Sequence, residues 1–189
     1  MEQRVEFNTD LIKRYDVAGP RYTSYPTAVQ FMEGFDAEAY RRHVAASNSE
    51  LIPKPLSLYV HLPFCKSLCY YCGCMKKVTR HTHQADHYLS LLDREIELQG
   101  ELFDHDREIV QLHFGGGTPT FHSDEQLKGL MEQIGKHFSL SRDDTREFSI
   151  EVDPRTVGTE RLAVLADMGF NRISLGVQDI NPEVQKAVN

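Results

Sequence analysis

Apolar residues along this chain alternate between two periods, and the alternation predicts the architecture. Four short apolar runs have strand length: Leu56–Val60 (LSLYV), Ile109–Phe114, Phe148–Val152 and Arg172–Val177 (RISLGV). Helical spacing fills the gaps between them. Gln84–Phe103 places Tyr88, Leu91, Leu92, Ile96 and Leu102 on one face. Leu127, Leu130, Met131 and Ile134 form the buried stripe of a second helix, with Ser123 or Asp124 as N-cap and an end near Phe138. Thr159–Met168 predicts a third helix. Asn181-Pro182-Glu183 opens another, with proline at its favoured first position.

Strands alternating with helices at this spacing predict parallel βα units, so the expected fold class is α/β. Residues 1–55 lack the pattern and read as an N-terminal extension and linker. They hold a short helical turn at Asp10–Tyr15, a turn-rich stretch at Gly19–Pro26, a helix at Ala37–Ala46, and a linker with two prolines to Pro55. Residues 56–189 read as the first part of a (β/α) barrel of parallel strands, since a final helix has barely begun at Asn189; a small open sheet of four strands is the alternative.

Charge narrows the function classes. With 28 acidic and 21 basic residues the formal charge is −7, which argues against nucleic acid or an anionic membrane as partner. No apolar run approaches the roughly 18–20 residues that span a bilayer. The start, MEQRVEFNTD, lacks a basic region followed by an apolar one. These features lead us to expect a cytoplasmic protein; a monomer is a separate expectation that they do not decide.

The candidate chemistry is concentrated in one place. All four cysteines fall within ten residues, CKSLCYYCGC from Cys65 to Cys74. A disulfide framework spreads its cysteines, because bridges closing longer loops stabilise more. A compact run in a reducing compartment points instead to a metal or redox site. Cys65-x3-Cys69-x2-Cys72 offers three thiolates on the loop after the first strand, a spacing suited to an iron–sulfur cluster. Zinc is the nearest rival, although zinc sites usually draw on two separated pairs of ligands.

The motif CxxxCxxC after a strand resembles that of the radical S-adenosylmethionine (SAM) superfamily. With the fourth cysteine, CxxxCxxCxC resembles the oxygen-independent coproporphyrinogen III oxidases within it. GPRYTSYPTA (Gly19–Ala28), LHFGGGTPT (Leu112–Thr120), SIEVDPR (Ser149–Arg155) and GFNRISLGVQD (Gly169–Asp179) resemble segments of the same family, in the same order. The resemblance implies a [4Fe–4S] cluster on Cys65, Cys69 and Cys72, with Cys74 left free, and two molecules of SAM. It also implies an electron donor, and coproporphyrinogen III as substrate. The implied reaction uses a 5′-deoxyadenosyl radical to take hydrogen from a propionate β-carbon. Loss of CO2 and one electron then leaves a vinyl group, and two such events give protoporphyrinogen IX. Two other functions are weighed against it. The related haem chaperone branch resembles CxxxCxxCxF and lacks the GPRYTSYPT segment, and the other alternative is a zinc-stabilised structural domain.

Further site residues follow from the same resemblance. Gly115-Gly116-Gly117-Thr118 after the second strand forms a turn whose glycines permit close backbone approach to a ligand. SAM contacts are carried onto Gly116, Gly117 and Thr118. Glu151, in apolar company on the third strand, is expected to be buried and so to need a partner. That partner is either SAM, as the resemblance implies, or Arg172 on the next strand. Gln178 lies just past the fourth strand and is a second SAM contact by resemblance, a loop amide otherwise. Tyr59 becomes a tyrosine near the cofactor and Tyr71 the aromatic beside the SAM adenine. His61 and Arg155 are candidates for polar contacts. His83 and His87 share a helix face and read as a solvated helix start.

Overall fold

Alternation within the strands resolves into one dry face and one polar face. In the computed structural model, which describes residues 7–17 and 27–188, the chain divides into two compact units, 1–40 and 41–189. Gly19–Pro26 of the N-terminal motif lies outside the described residues. In the first unit, helix α1 (Thr9–Tyr15) is capped by Asn8, whose Oδ1 accepts the Leu11 N–H at 2.9 Å, and it buries no residue.

Helix α2 spans Ala37–Asn48. Its end and the following linker belong with the sheet because of one buried cation. Arg107 donates to Lys54 O (3.0 Å), Ser47 Oγ (2.9 Å) and Asn48 Oδ1 (2.6 Å), and its guanidinium lies over the Phe103 ring.

Seven strands follow in the second unit: β1 (Leu56–Leu62), β2 (Phe64–Cys65), β3 (Lys77–Val78), β4 (Glu108–Gly116), β5 (Ser139–Leu140), β6 (Glu147–Val152) and β7 (Arg172–Leu175). The helices between them are α3 (His83–Gly100), α4 (Asp124–His137) and α5 (Thr159–Asp167), and α6 (Pro182–Val188) follows β7. The main sheet is parallel throughout, in the order β1-β4-β6-β7, with β5 paired to the first two residues of β4.

Phe148, Ile150 and Val152 of β6 are buried against the helices, while Glu147, Ser149 and Glu151 face the other way. In β4 an extra residue, Val110, stands opposite the Leu56/Ser57 step. This bulge resets the alternation, so that Ile109, Leu112 and Phe114 all reach the core. Leu127, Leu130, Met131 and Ile134 of α4 complete that core, as the helical period predicts. The N-cap of α4 is Ser123, with Gln126 closing a capping box.

Strand and helix positions agree with the sequence pattern to within a few residues. Three differences have physical causes. The second strand continues two residues into the triple glycine, because Gly115 and Gly116 pair with His61 and Leu62. The short strands β2, β3 and β5 carry no readable period. The fourth strand, β7, pairs on one side only, and all four of its residues are exposed. Among the described residues, no helix is long and apolar enough to cross a membrane.

Candidate functional site

The cysteine loop starts from a strand end that is firmly held. Tyr88 donates its hydroxyl to His61 O at 2.6 Å, and the Phe64 ring stacks on Phe121 and meets Tyr88 edge-on. The base of the loop is closed where Lys77 N–H donates to Pro63 O (2.7 Å) and Thr79 N–H to Cys65 O (2.9 Å). Within the loop, Lys76 Nζ donates to Cys72 O at 2.9 Å. The far side is tied to α6, as Tyr70 N–H donates to Val188 O at 3.0 Å.

All four cysteines are free thiols; Cys65, Cys69 and Cys72 are half-buried and Cys74 is exposed. They line one cavity of about 590 Å3 beyond the carboxyl ends of the strands, where ligands of α/β proteins bind. Burial pushes the Cys72 thiol up, but hydrogen bonds from Cys74 and the Lys76 ammonium outweigh it and leave that thiol below its ordinary range. Burial raises Cys65, and the Thr118 hydroxyl, 3.6 Å from its sulfur, opposes the shift. Three thiols on one closed loop, with a cation beside them, suit the donor set of an iron–sulfur cluster. Among the described residues, no three His, Cys, Asp or Glu side chains gather around a point as a single metal ion requires.

Each glycine of the triple turn is required by a different neighbour. A Cβ on Gly115 would lie 2.9 Å from His113 Nε2, and one on Gly117 would lie 2.7 Å from the carbonyls of Pro63 and Phe64. Gly116 has φ +113° and faces the His61 ring. The expectation that these glycines clear space for a ligand is therefore incomplete. The space is filled first by the protein itself, which brings the turn against the root of the cysteine loop. Gly117 N–H donates to Leu62 O and Thr118 N–H to Phe64 O, both at 2.9 Å.

The cavity gathers Cys65, Cys69, Cys72, Tyr71, Gly116, Gly117, Thr118, Glu151 and Gln178. Tyr59 does not line it. Its ring stacks on His113 at 5.7 Å and its hydroxyl meets His61 Nδ1 at 2.9 Å. Burial, and then the nearby charge of Glu151, raise the Tyr59 pKa. Arg155 lines the cavity and grips both oxygens of Asp153, which holds that carboxylate below its ordinary range. Gln178 takes φ +65°, an uncommon conformation for a residue other than glycine. His83 and His87 are exposed at the start of α3.

Glu151 requires two corrections. It is not buried, since its side chain is 40% exposed on the polar face of the sheet. Nor does it pair with Arg172, which binds Glu147 at 2.7 Å because those two residues share a side of the sheet edge. The partners of Glu151 are His113 Nε2, 3.3 Å from Oε1, and the Gly116 N–H, 3.2 Å from Oε2. The sequence reading overlooked His113; its signal was the two-residue spacing from Gln111 and Gly115, which puts it on the polar face. Lys76 and Thr120 also line the cavity unannounced.

Comparison with known proteins identifies the family. The model of the radical SAM superfamily matches residues 59–189. The chain is 49% identical over its full 189 residues to the oxygen-independent coproporphyrinogen III oxidase of Pseudomonas aeruginosa, covering 41% of that protein. It is 48% identical over 144 residues to the protein of the same name from Mannheimia haemolytica, covering 94% of it. Among solved structures, the coproporphyrinogen III oxidase of Escherichia coli, described as a radical SAM enzyme, superposes with a TM-score of 0.80 at 47% identity. That match covers 99% of this chain and 40% of the other. The chain thus spans about 40% of the length of several relatives that it matches end to end. A parallel sheet carrying three thiols on the loop after its first strand, matched in sequence and in fold, places this chain in the radical SAM superfamily, within the oxygen-independent coproporphyrinogen III oxidase family.

Proposed function

We propose that this chain forms the cluster- and SAM-binding part of an oxygen-independent coproporphyrinogen III oxidase. The whole enzyme would convert two propionates of coproporphyrinogen III to vinyl groups, giving protoporphyrinogen IX in haem biosynthesis. The observation that carries the reading is the single cavity into which the thiols of Cys65, Cys69 and Cys72 open beside Gly116, Gly117 and Glu151.

Cys65, Cys69 and Cys72 would hold the [4Fe–4S] cluster, and Cys74, more exposed, stays outside the ligand set. Cluster and SAM together supply one-electron radical chemistry, and the protein supplies binding, orientation and exclusion of water. The Gly116 and Gly117 backbone, Thr118, Glu151 and Gln178 would bind SAM, and Tyr71 would cover its adenine. A second SAM is proposed near the glycine turn. Tyr59 acts from behind, through the rings of His61 and His113. An electron donor would reach the cluster from outside, and we propose a cytoplasmic monomer.

The test is anaerobic incubation of the iron-loaded whole enzyme that contains this chain with a reductant, SAM and coproporphyrinogen III, since the part alone need not turn over. Release of 5′-deoxyadenosine together with protoporphyrinogen IX is the expected result. A loaded protein that leaves SAM intact, or cleaves it with no change in the porphyrinogen, contradicts the proposal.

A further inference from the structure

The open face of the sheet carries a continuous polar run across three strands. Ser149 Oγ lies 2.6 Å from His113 Nδ1, and His113 Nε2 lies 3.3 Å from Glu151 Oε1. The other carboxylate oxygen accepts the Gly116 N–H at 3.2 Å. The Tyr59 ring stacks on the His113 imidazole at 5.7 Å with 17° between their planes. His113 is thus fixed by a hydroxyl at one nitrogen and a ring on one face, with its second nitrogen aimed at a carboxylate.

Between the two neutral tautomers these contacts favour one. The short contact to Ser149 is satisfied when the serine hydroxyl donates to Nδ1, which leaves the ring proton on Nε2 facing Glu151. The opposite tautomer would set a nitrogen lone pair against the carboxylate and spend the serine proton on Leu112 O, at 3.4 Å. Gly115 supports the pair independently. A Cβ there would lie 2.9 Å from His113 Nε2 and 3.2 Å from Glu151 Cδ. Gly115 has no positive φ, so its backbone admits alanine, and the three atoms nearest to such a Cβ all belong to His113 and Glu151.

We propose that His113 is a positioning residue for Glu151: its Nε2–H holds the carboxylate in the orientation in which it receives SAM, and Ser149 fixes the ring that does so. The proposal rests on the reading of Glu151 as a SAM contact. His113 does not touch SAM in this account and acts only through the carboxylate. With both side chains more than a third exposed, the hydrogen bond is a modest one.

The test measures SAM binding to the iron-loaded full chain by equilibrium dialysis, alongside nitrogen NMR of the imidazole rings in the metal-free chain. His113→Phe keeps the ring volume and loses the donor, and is expected to weaken SAM binding about tenfold. His113→Gln places an amide N–H near the site of Nε2 and is expected to restore binding to within about twofold. The double variant His113→Phe, Glu151→Ala should bind no more weakly than Glu151→Ala alone, because His113 has nothing left to position. The His113 ring should carry its proton on Nε2, with a signal that moves in Glu151→Ala. A His113→Phe protein that binds like the wild type, losses that multiply in the double variant, or a ring protonated at Nδ1 would each overturn the proposal. If Glu151→Ala binds SAM as tightly as the wild type, the reading of Glu151 as a contact falls and takes the positioning role with it. If Glu151→Ala weakens binding and His113→Phe does not, only the positioning role falls.

Discussion

The imidazole of His61 fills the space beside Gly116 where a side chain would stand: a Cβ there would lie 2.6 Å from its Cε1. The ring cannot easily yield. Its Nδ1 meets the Tyr59 hydroxyl at 2.9 Å and its Nε2 meets Met75 O at 3.0 Å, so it links the end of β1 to the far side of the cysteine loop. Gly116→Ala combines this collision with the strain of φ +113°, and is expected to destabilise the chain by about 2–4 kcal/mol. Gly129 is the control, being exposed on α4 with nothing within 4 Å of a built Cβ. Gly129→Ala should stabilise by about 0.5–1 kcal/mol. Urea unfolding of the two variants compares them directly, and equal effects would contradict this account of the turn.

The cysteines should separate three to one. Cys65→Ser, Cys69→Ser and Cys72→Ser each remove one of the three thiols of the proposed ligand set, whereas Cys74 is the most exposed of the four. Iron and acid-labile sulfide content after anaerobic loading is expected to collapse in the first three variants and to stay near four per chain in Cys74→Ser. Collapse in all four would bring Cys74 into the ligand set.

His122 makes stability sensitive to acid. It is only 1% exposed, lies edge-on to Phe64 and Phe121, and among the described residues neither ring nitrogen has a hydrogen-bonding partner. Burial pushes its pKa down to about 4, and Asp86 and Gln126 nearby oppose the shift only in part. A pKa lower in the folded chain than in the unfolded one means that the unfolded chain binds the proton more tightly. The stability that neutral His122 permits is therefore complete above about pH 6.5 and is lost as pH falls toward 4, by roughly 1.4 kcal/mol per unit. His122→Phe should flatten the unfolding free energy between pH 6.5 and 4, and an unchanged slope would place the acid sensitivity elsewhere.

Arg161 holds the turn that follows Thr118. From α5 it donates to Thr120 O (2.8 Å), to His122 O (2.5 Å) and to Asp124 Oδ1 (2.8 Å). Arg161→Met leaves those carbonyls without their donor in a site where Arg161 itself is 22% exposed. The expected cost is about 2–3 kcal/mol. Thermal unfolding of the variant, with Asp124→Asn beside it, tests whether the carbonyl contacts or the ion pair dominate. The smaller loss is expected for Asp124→Asn.

The sheet was largely legible in the sequence, because Phe148, Ile150 and Val152, like Leu127 and Ile134, follow periods that only burial on one face enforces. The cysteine loop was legible because thiols at that spacing serve few purposes. The partners of Glu151 were not. A two-residue period puts His113, Ser149 and Glu151 on one face of the sheet, but only the register of β4 against β6 brings His113 beside Ser149. The purpose of Gly116 and Gly117 was hidden for a similar reason, since the atoms that fill the space belong to His61, Pro63 and Phe64, about fifty residues earlier. The β2–β3 ladder escaped because two-residue strands have no period to read.

The most direct test of the central claim is low-temperature EPR of the protein purified anaerobically, loaded with iron and sulfide, and reduced, with and without SAM. The account predicts the signal of a reduced four-iron cluster whose shape changes when SAM is added, as three cysteine ligands and one open iron require. A protein that holds only zinc, or a cluster whose signal is blind to SAM, would contradict it.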